Sequence, residues 1–294
     1  QYGFPHLTLD YQDKFYEGVI ENFVDSYASG QTPVPCIQCN QTVKFRDLLN
    51  EAKKLNADTL VTGHYVRRSR ESCNAKLFKA RDENKDQSYF LFATLQEQLD
   101  YIRFPLGNFL KSEIRDMAKN FNLSVSDKPD SQDICFVTSK SYRDLIEKLR
   151  PELSKEGNIV DINGKIIGKH KGISNYTIGQ RRGIGIGGYN FPLYVININK
   201  EKNEIVLGDQ TKLKKTVIKL KNINWLDNGF SKQNLRCSAK IRSTQKEMPG
   251  ILNIFSDYGE FIFNSHVLST SPGQACVFYL NDQVLGGGWI TKTI

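Results

Sequence analysis

Three cysteines stand where a thiol could do chemistry. Thr32-Pro33-Val34-Pro35-Cys36-Ile37-Gln38-Cys39-Asn40 carries a C-x-x-C pair behind two prolines. The prolines hold an extended loop that delivers Cys39 to the start of a predicted helix, where unpaired N–H groups and the helix dipole favour a thiolate. Such a pair could also be half of a zinc site, but no second pair stands at zinc spacing. A thioredoxin-like redox pair is another reading, against the flanking order. The plainest is two half-buried structural thiols. Cys135 ends the polar, turn-rich run Asp127-Lys128-Pro129-Asp130-Ser131-Gln132-Asp133-Ile134-Cys135-Phe136. That loop is expected to pass into a short apolar strand, and a cysteine at such a junction is accessible. Cys73, Cys237 and Cys276 have no comparable setting and read as structural.

Two other stretches offer polar chemistry. Asn84-Lys85-Asp86-Gln87-Ser88-Tyr89 supplies a cation, a carboxylate and an amide ahead of Phe90-Leu91-Phe92. It could grip phosphate and ribose, or be a solvated loop before a buried strand. Gly183-Ile184-Gly185-Ile186-Gly187-Gly188 matches the G-x-G-x-x-G spacing, but Arg181-Arg182 precede it and alternating β sequence follows instead of a helix. A dinucleotide site is therefore rejected. The glycines would instead let the backbone, Arg181 and Arg182 approach a phosphate chain.

The elements that must hold these groups fall into three textures. Residues 1–149 alternate helix and strand. Phe15, Val19, Phe23 and Tyr27 recur every four residues, with Gly30 at a left-handed C-cap. A second helix is predicted from Asn40 to Leu55, with Val43, Leu48, Ala52 and Leu55 inward. The short strand Thr59–Thr62 then ends at Gly63-His64-Tyr65. A third helix follows Ser112 and should bury Ile114, Met117, Ala118 and Phe121. Short unalternating strands between helices indicate a parallel α/β sheet. Residues 150–212 are glycine-rich and mainly β, with a hairpin whose arms carry Tyr194, Ile196, Ile198 and then Ile205, Leu207. Residues 213–294 show six candidate strands: Val217–Ile223, Arg236–Arg242, Gly250–Phe255, Glu260–Asn264, Ala275–Leu280 and Val284–Ile290. Their number and spacing indicate a small closed barrel.

Composition narrows the setting. A chain of 294 residues has room for two or three domains. Its net charge of +8 points to an anionic partner, with RNA favoured over a lipid surface because no polybasic block or basic amphipathic helix is present. No apolar run reaches membrane-spanning length, and Gln1-Tyr2-Gly3-Phe4-Pro5 is not a secretion signal, so a cytoplasmic, membrane-free protein with reduced thiols is expected.

Taken in order, Thr32–Phe45, Thr62–Tyr65, Asp86–Phe90, Asp133–Phe136, Tyr176–Gly188 and Ser271–Phe278 resemble the motifs of the tRNA-specific 2-thiouridylases, and the resemblance covers essentially the whole chain. It implies an α/β adenylating domain of the PP-loop ATP pyrophosphatase type, then a small mainly β central domain that binds tRNA, then a C-terminal β-barrel. It implies that Cys39 is the nucleophile, that Cys135 carries a persulfide, and that the two can close a disulfide. Gly63 matches an ATP contact, and Val34, Pro35 and Cys36 match the stretch that meets the target base. His64, Lys85, Asp86, Gln87, Arg242, Ser243 and Gln274 match tRNA-contacting positions.

The implied reaction is 2-thiolation of the anticodon wobble uridine. ATP with Mg²⁺ adenylates the C2 oxygen, and sulfur then comes from the Cys135 persulfide, either directly or as hydrosulfide released by Cys39. The implied partners are the tRNA anticodon arm and a persulfide-donating sulfur-carrier protein. An alternative cofactor is an iron–sulfur cluster on Cys36, Cys39 and Cys135. Two departures matter. Some family members have Asp where this chain has Cys36. The Ser-Gly-Gly-Val-Asp-Ser type phosphate loop is absent, and the chain starts at what reads as a later strand, Pro5–Leu9. As given, the chain is therefore expected to lack the main ATP-phosphate cradle, which leaves a non-catalytic tRNA-binding fragment as the alternative function.

Overall fold

A computed structural model describes residues 3–69, 74–129, 134–137, 141–227 and 229–294. Cys73 and Asp130-Ser131-Gln132-Asp133 lie outside the described residues.

The first helix runs through Gln12–Phe15, a π-wound Tyr16–Glu21, and Asn22–Ala28. It ends as the sequence predicts. Gly30 takes φ +70°, its N–H reaches the Tyr27 carbonyl, and the Gln31 N–H reaches that of Ser26, a Schellman closure. The second helix starts earlier than predicted, with Pro35 in its first turn, where the missing N–H costs nothing. It continues through a π-wound Asn40–Asp47 into Leu48–Lys54. The π stretch turns the inward face. Ile37, Val43, Phe45 and Leu49 are buried, whereas Leu55, predicted to point inward, is 59% exposed. Wider i→i+5 winding shifts which residues share a face, so a 3.6-residue reading fails across it.

Strand β1 (Leu60–Val61) pairs in parallel with β4 (Ile102–Arg103), and the hairpin β2 (Arg67–Ser69) and β3 (Lys76–Phe78) lies between them in sequence. Among the described residues this parallel sheet has only those two strands. Two expectations fail beside it. The predicted strand at Pro5–Leu9 has no regular structure, and Leu7 is exposed. The third helix forms at Lys111–Asn120 but buries none of its residues, and Phe121 is 74% exposed. An extended segment needs a neighbour to complete its hydrogen bonds, and an apolar stripe needs a surface to cover it. No described element supplies either.

The central region forms a four-stranded sheet from β5 (Gly157–Val160), β6 (Ile166–His170), β7 (Tyr194–Asn199) and β8 (Glu204–Gly208), in the order β6-β5-β8-β7. The β7–β8 pair is the predicted hairpin. The C-terminal region contributes β9 (Lys214–Trp225), β10 (Leu235–Lys240), β11 (Met248–Ile254), β12 (Gly259–Leu268), β13 (Ala275–Leu280) and β14 (Gln283–Thr293). They pair as β13-β10-β11-β12-β9-β14, and β13 pairs with β14 to close a six-stranded barrel, as predicted. Strand β3 also adds to β14, which carries the barrel sheet into the N-terminal region.

One core joins that region to the barrel. Ile37, Phe45 and Leu49 of the second helix share a buried cluster with Tyr89, Leu91 and Phe92 and with Ala275, Val277, Tyr279 and Val284 of the barrel. Each such side chain contributes roughly 1.5–3 kcal/mol on burial. The Tyr89 hydroxyl donates to the Ala275 carbonyl at 3.0 Å. Close approach here depends on Gly287, because a Cβ on it would lie 2.6 Å from the Phe92 ring and 2.8 Å from the Cys276 carbonyl oxygen. Gly287→Ala should therefore cost about 1–3 kcal/mol, lowering the denaturation midpoint at constant m. An unchanged midpoint would contradict this packing.

Candidate active site

Pro33, Pro35 and the barrel together fix the loop ahead of the cysteines. The Thr32 N–H donates to the Pro272 carbonyl at 2.9 Å, and the Gln274 side-chain amide donates to the Thr32 carbonyl at 2.8 Å. With both backbone groups of Thr32 held, the following helix starts in a set direction. Cys36 is exposed in its first turn and Cys39 is half-buried one turn on. Sequence reasoning placed Cys39 at the helix start. The start at Pro35 moves it inside, where its N–H belongs to the helix, and the free N–H groups lie nearer Cys36.

Cys135 reaches the same place from far along the chain. Residues 134–137 form a turn closed by the Val137 N–H on the Ile134 carbonyl, not the predicted strand. Phe136 anchors this turn by edge contacts with Phe15 at 5.8 Å and Phe23 at 5.3 Å. Cys135 is exposed. Its charge bears on both Cys36 and Cys39. All three are free thiols. Among the described residues no group of three or more His, Cys, Asp or Glu side chains is gathered as a metal ion would need.

The electrostatics oppose the expectation of a thiolate lowered by the helix terminus. Burial raises the Cys39 thiol above its usual range, Lys44 pulls it down, and Cys135 and Cys36 push it up. Cys36, although exposed, moves in the same direction through partial desolvation and then the Cys135 charge, against Lys44. Two residues that the sequence reading passed over therefore belong to the site. Asn40 is 3% exposed, donates its side-chain amide to the Phe90 carbonyl at 3.1 Å, and accepts from the Lys44 ammonium at 3.1 Å. A polar residue buried within an apolar helix face was the available signal.

Gly63 and His64 follow β1 at its carboxyl end, where open parallel sheets bind ligands. Gly63 is exposed. His64 Nδ1 is hydrogen-bonded to the Thr62 hydroxyl, and its ring makes an edge contact with Phe45 at 5.8 Å. Burial, then Lys44, lowers it from its ordinary value near 6.5 to about 4, so the imidazole is neutral at physiological pH.

The remaining predicted residues are dispersed. The Gln87 side-chain oxygen accepts from the Tyr65 N–H at 2.8 Å, which ties the Lys85–Gln87 loop to the His64 turn. Asp86 points inward; its carboxylate accepts from the Ala80 and Ser88 N–H groups and lies 3.6 Å from the Lys240 ammonium. Arg242 is half-buried and donates to the Ser269 carbonyl at 2.8 Å, and Ser243 is exposed beside it. Arg181 and Arg182 are exposed on the glycine-rich loop, where Gly183, Gly185 and Gly188 take positive φ and no helix follows. Pro35 is buried and Val34 half-buried.

Against this geometry the comparisons are specific. A family model described as a tRNA methyl transferase HUP domain matches residues 1–139. A tRNA methyl transferase PRC-barrel domain matches 143–209, and an aminomethyltransferase beta-barrel domain matches 215–290. Helix–strand region, small β domain and closed barrel thus define an enzyme of the tRNA-modifying HUP class. A tRNA-specific 2-thiouridylase of Wolbachia sp. subsp. Drosophila simulans is 51% identical over 98% of this chain and 77% of its own length. Those of Orientia tsutsugamushi and Rickettsia prowazekii are each 51% identical over 99% of this chain and 79% and 82% of their own lengths. The chain belongs to the tRNA-specific 2-thiouridylase family.

The His64 shift carries a pH consequence. A histidine depressed in the fold stabilises it fully above its unfolded value, and that contribution is lost as pH falls from about 6.5 towards 4. His64→Gln should flatten the fall in thermal stability across that window. A variant as acid-sensitive as the parent would return His64 to an ordinary surface histidine.

Proposed function

We propose that the protein thiolates C2 of an anticodon wobble uridine in tRNA. What supports the reading is the likeness over nearly the whole chain to proteins named tRNA-specific 2-thiouridylases, together with an exposed Cys135, on a turn anchored to the first helix, whose charge bears on Cys39. The family-model descriptions mention methyl transfer, whereas the relatives at 51% identity are named 2-thiouridylases, and three free thiols at the site suit sulfur chemistry.

The C2 oxygen is a poor leaving group, so it first attacks the α-phosphate of ATP and pyrophosphate departs. Gly63, exposed at the carboxyl end of β1, is the described residue assigned to ATP. No described residue is assigned to Mg²⁺. A persulfide on Cys135, delivered by a sulfur-carrier protein, attacks C2 through its terminal sulfur, and AMP leaves with the oxygen. The Cys39 thiolate then attacks the Cys135 sulfur. The S–S bond breaks, its electron pair stays on the terminal sulfur as the C2 thiocarbonyl forms, and a Cys39–Cys135 disulfide is left for an external thiol to reduce. In the other order, Cys39 releases hydrosulfide first, and that attacks C2.

An anticodon base is already single-stranded, so drawing it towards Val34, Pro35 and Cys36 costs little beyond unstacking. His64, Lys85, Gln87, Arg242, Ser243 and Gln274 are assigned to the anticodon arm. Asp86, whose carboxylate faces inward, supports that loop from beneath. Arg181 and Arg182 are assigned to its phosphates. Among the described residues no helix is long and apolar enough to cross a membrane.

Cys39→Ser and Cys135→Ser should each abolish ATP-dependent thiolation of an anticodon-arm RNA by the full-length protein, while Cys237→Ser leaves it intact. Activity in either of the first two variants would refute the assignment. Replacing Arg181 and Arg182 by Ala should weaken RNA binding and flatten its log–log salt dependence by about two units. An unchanged slope would make both arginines solvated surface.

A further inference from the structure

Residues 181–193 form a loop whose base is pinned from both sides. The Gly179 N–H donates to the Val195 carbonyl at 2.8 Å, and the Val195 N–H donates to the Gln180 carbonyl at 3.0 Å. Gly179 lies close against the Arg242 guanidinium, which an added Cβ would approach to 3.3 Å. Next to it, the Ile178 N–H donates to the Ser271 hydroxyl at 3.1 Å. The loop therefore grows out of the barrel segment that also fixes Thr32.

Its apolar residues divide into two sets. Ile184 is buried in the central core, and Ile186 and Leu193 pack against the same cluster. Tyr189 and Phe191 instead stay 42% and 51% exposed. A surface cavity of about 640 Å³ opens along the loop, lined by both rings and Arg181 and by no acidic side chain. The rings meet edge to face, with centroids 6.0 Å apart and planes at 66°. In that geometry one ring covers at most one face of the other, so flat faces remain open. Exposed aromatics beside paired cations suit an unpaired nucleotide, whose base stacks while its phosphates are neutralised alongside. An apolar peptide would use the rings and leave the arginines unmatched. A paired RNA helix would use the arginines and offer the rings no base face.

We propose that Tyr189 and Phe191 form a stacking platform for an unpaired base of the anticodon arm, beside the phosphates assigned to Arg181 and Arg182. This rests on the reading of those arginines as RNA contacts.

The test compares affinity for a short single-stranded oligouridylate with affinity for an RNA duplex of the same length, with neither ATP nor a sulfur donor present. Tyr189→Leu combined with Phe191→Leu keeps the apolar bulk and removes the ring faces. It should weaken single-strand binding about tenfold and leave duplex binding and the salt slope as in the parent, because stacking releases no counterions. Tyr189→Phe combined with Phe191→Tyr keeps both faces and should bind like the parent. Unchanged single-strand affinity in the leucine variant would overturn the proposal and leave the rings to a protein partner. An equal loss on single strand and duplex would overturn it too, by reducing the rings to a structural role. Thiolation plays no part in these measurements. A protein that binds as expected but does not thiolate sinks the proposed function alone, and a thiolating protein whose leucine variant binds like the parent sinks this inference alone.

Discussion

Everything in the site hangs on how the barrel holds the loop before the cysteine helix. Ser269, Thr270 and Ser271 are buried in the segment that precedes β13. That segment meets all three regions. Its Ser269 carbonyl takes Arg242, its Ser271 hydroxyl takes the Ile178 N–H of the central region at 3.1 Å, and Pro272 and Gln274 close on Thr32. Each bond is worth only about 1 kcal/mol net. Their value lies in geometry: the last strand pair of the chain sets the start of a helix near its beginning. Gln274, matched by resemblance to an RNA contact, already spends its amide on Thr32, so RNA drawn to this junction would touch the residues that aim the cysteines.

The second constraint is electrostatic. Burial raises the half-buried Cys39, and the neighbouring Cys135 and Cys36 add to the cost. Lys44, bonded to the buried Asn40, offsets part of that cost. The helix starts too early to serve Cys39.

The sequence made the barrel legible because its strands alternate and its turns are spaced, and closure follows from the need to remove edges. The Schellman end of the first helix was legible from Gly30. The helix carrying the cysteines was legible as an element but not in its face, since π winding leaves no mark in an apolar count. Pro5–Leu9 and the stripe at Met117 and Phe121 read as strand and core because their residue types are right; what they lack is a described neighbour. Cys36, Cys39 and Cys135 could each be picked out, but their meeting is a property of the fold. It depends on Phe136 docking against Phe15 and Phe23, which no spacing reveals. Asn40 and Lys44 were passed over because a polar pair four residues apart on a helix is usually a solvated face.

The central claim of the proposed reaction is that Cys39 resolves a persulfide on Cys135 and leaves a disulfide between them. It is tested most directly by peptide mapping of the protein quenched after a single turnover with ATP, RNA and a persulfide donor. The account predicts a Cys39–Cys135 disulfide, with Cys36 alkylated by the quench. A Cys36–Cys39 disulfide with Cys135 free would contradict it and make the C-x-x-C pair a local redox motif.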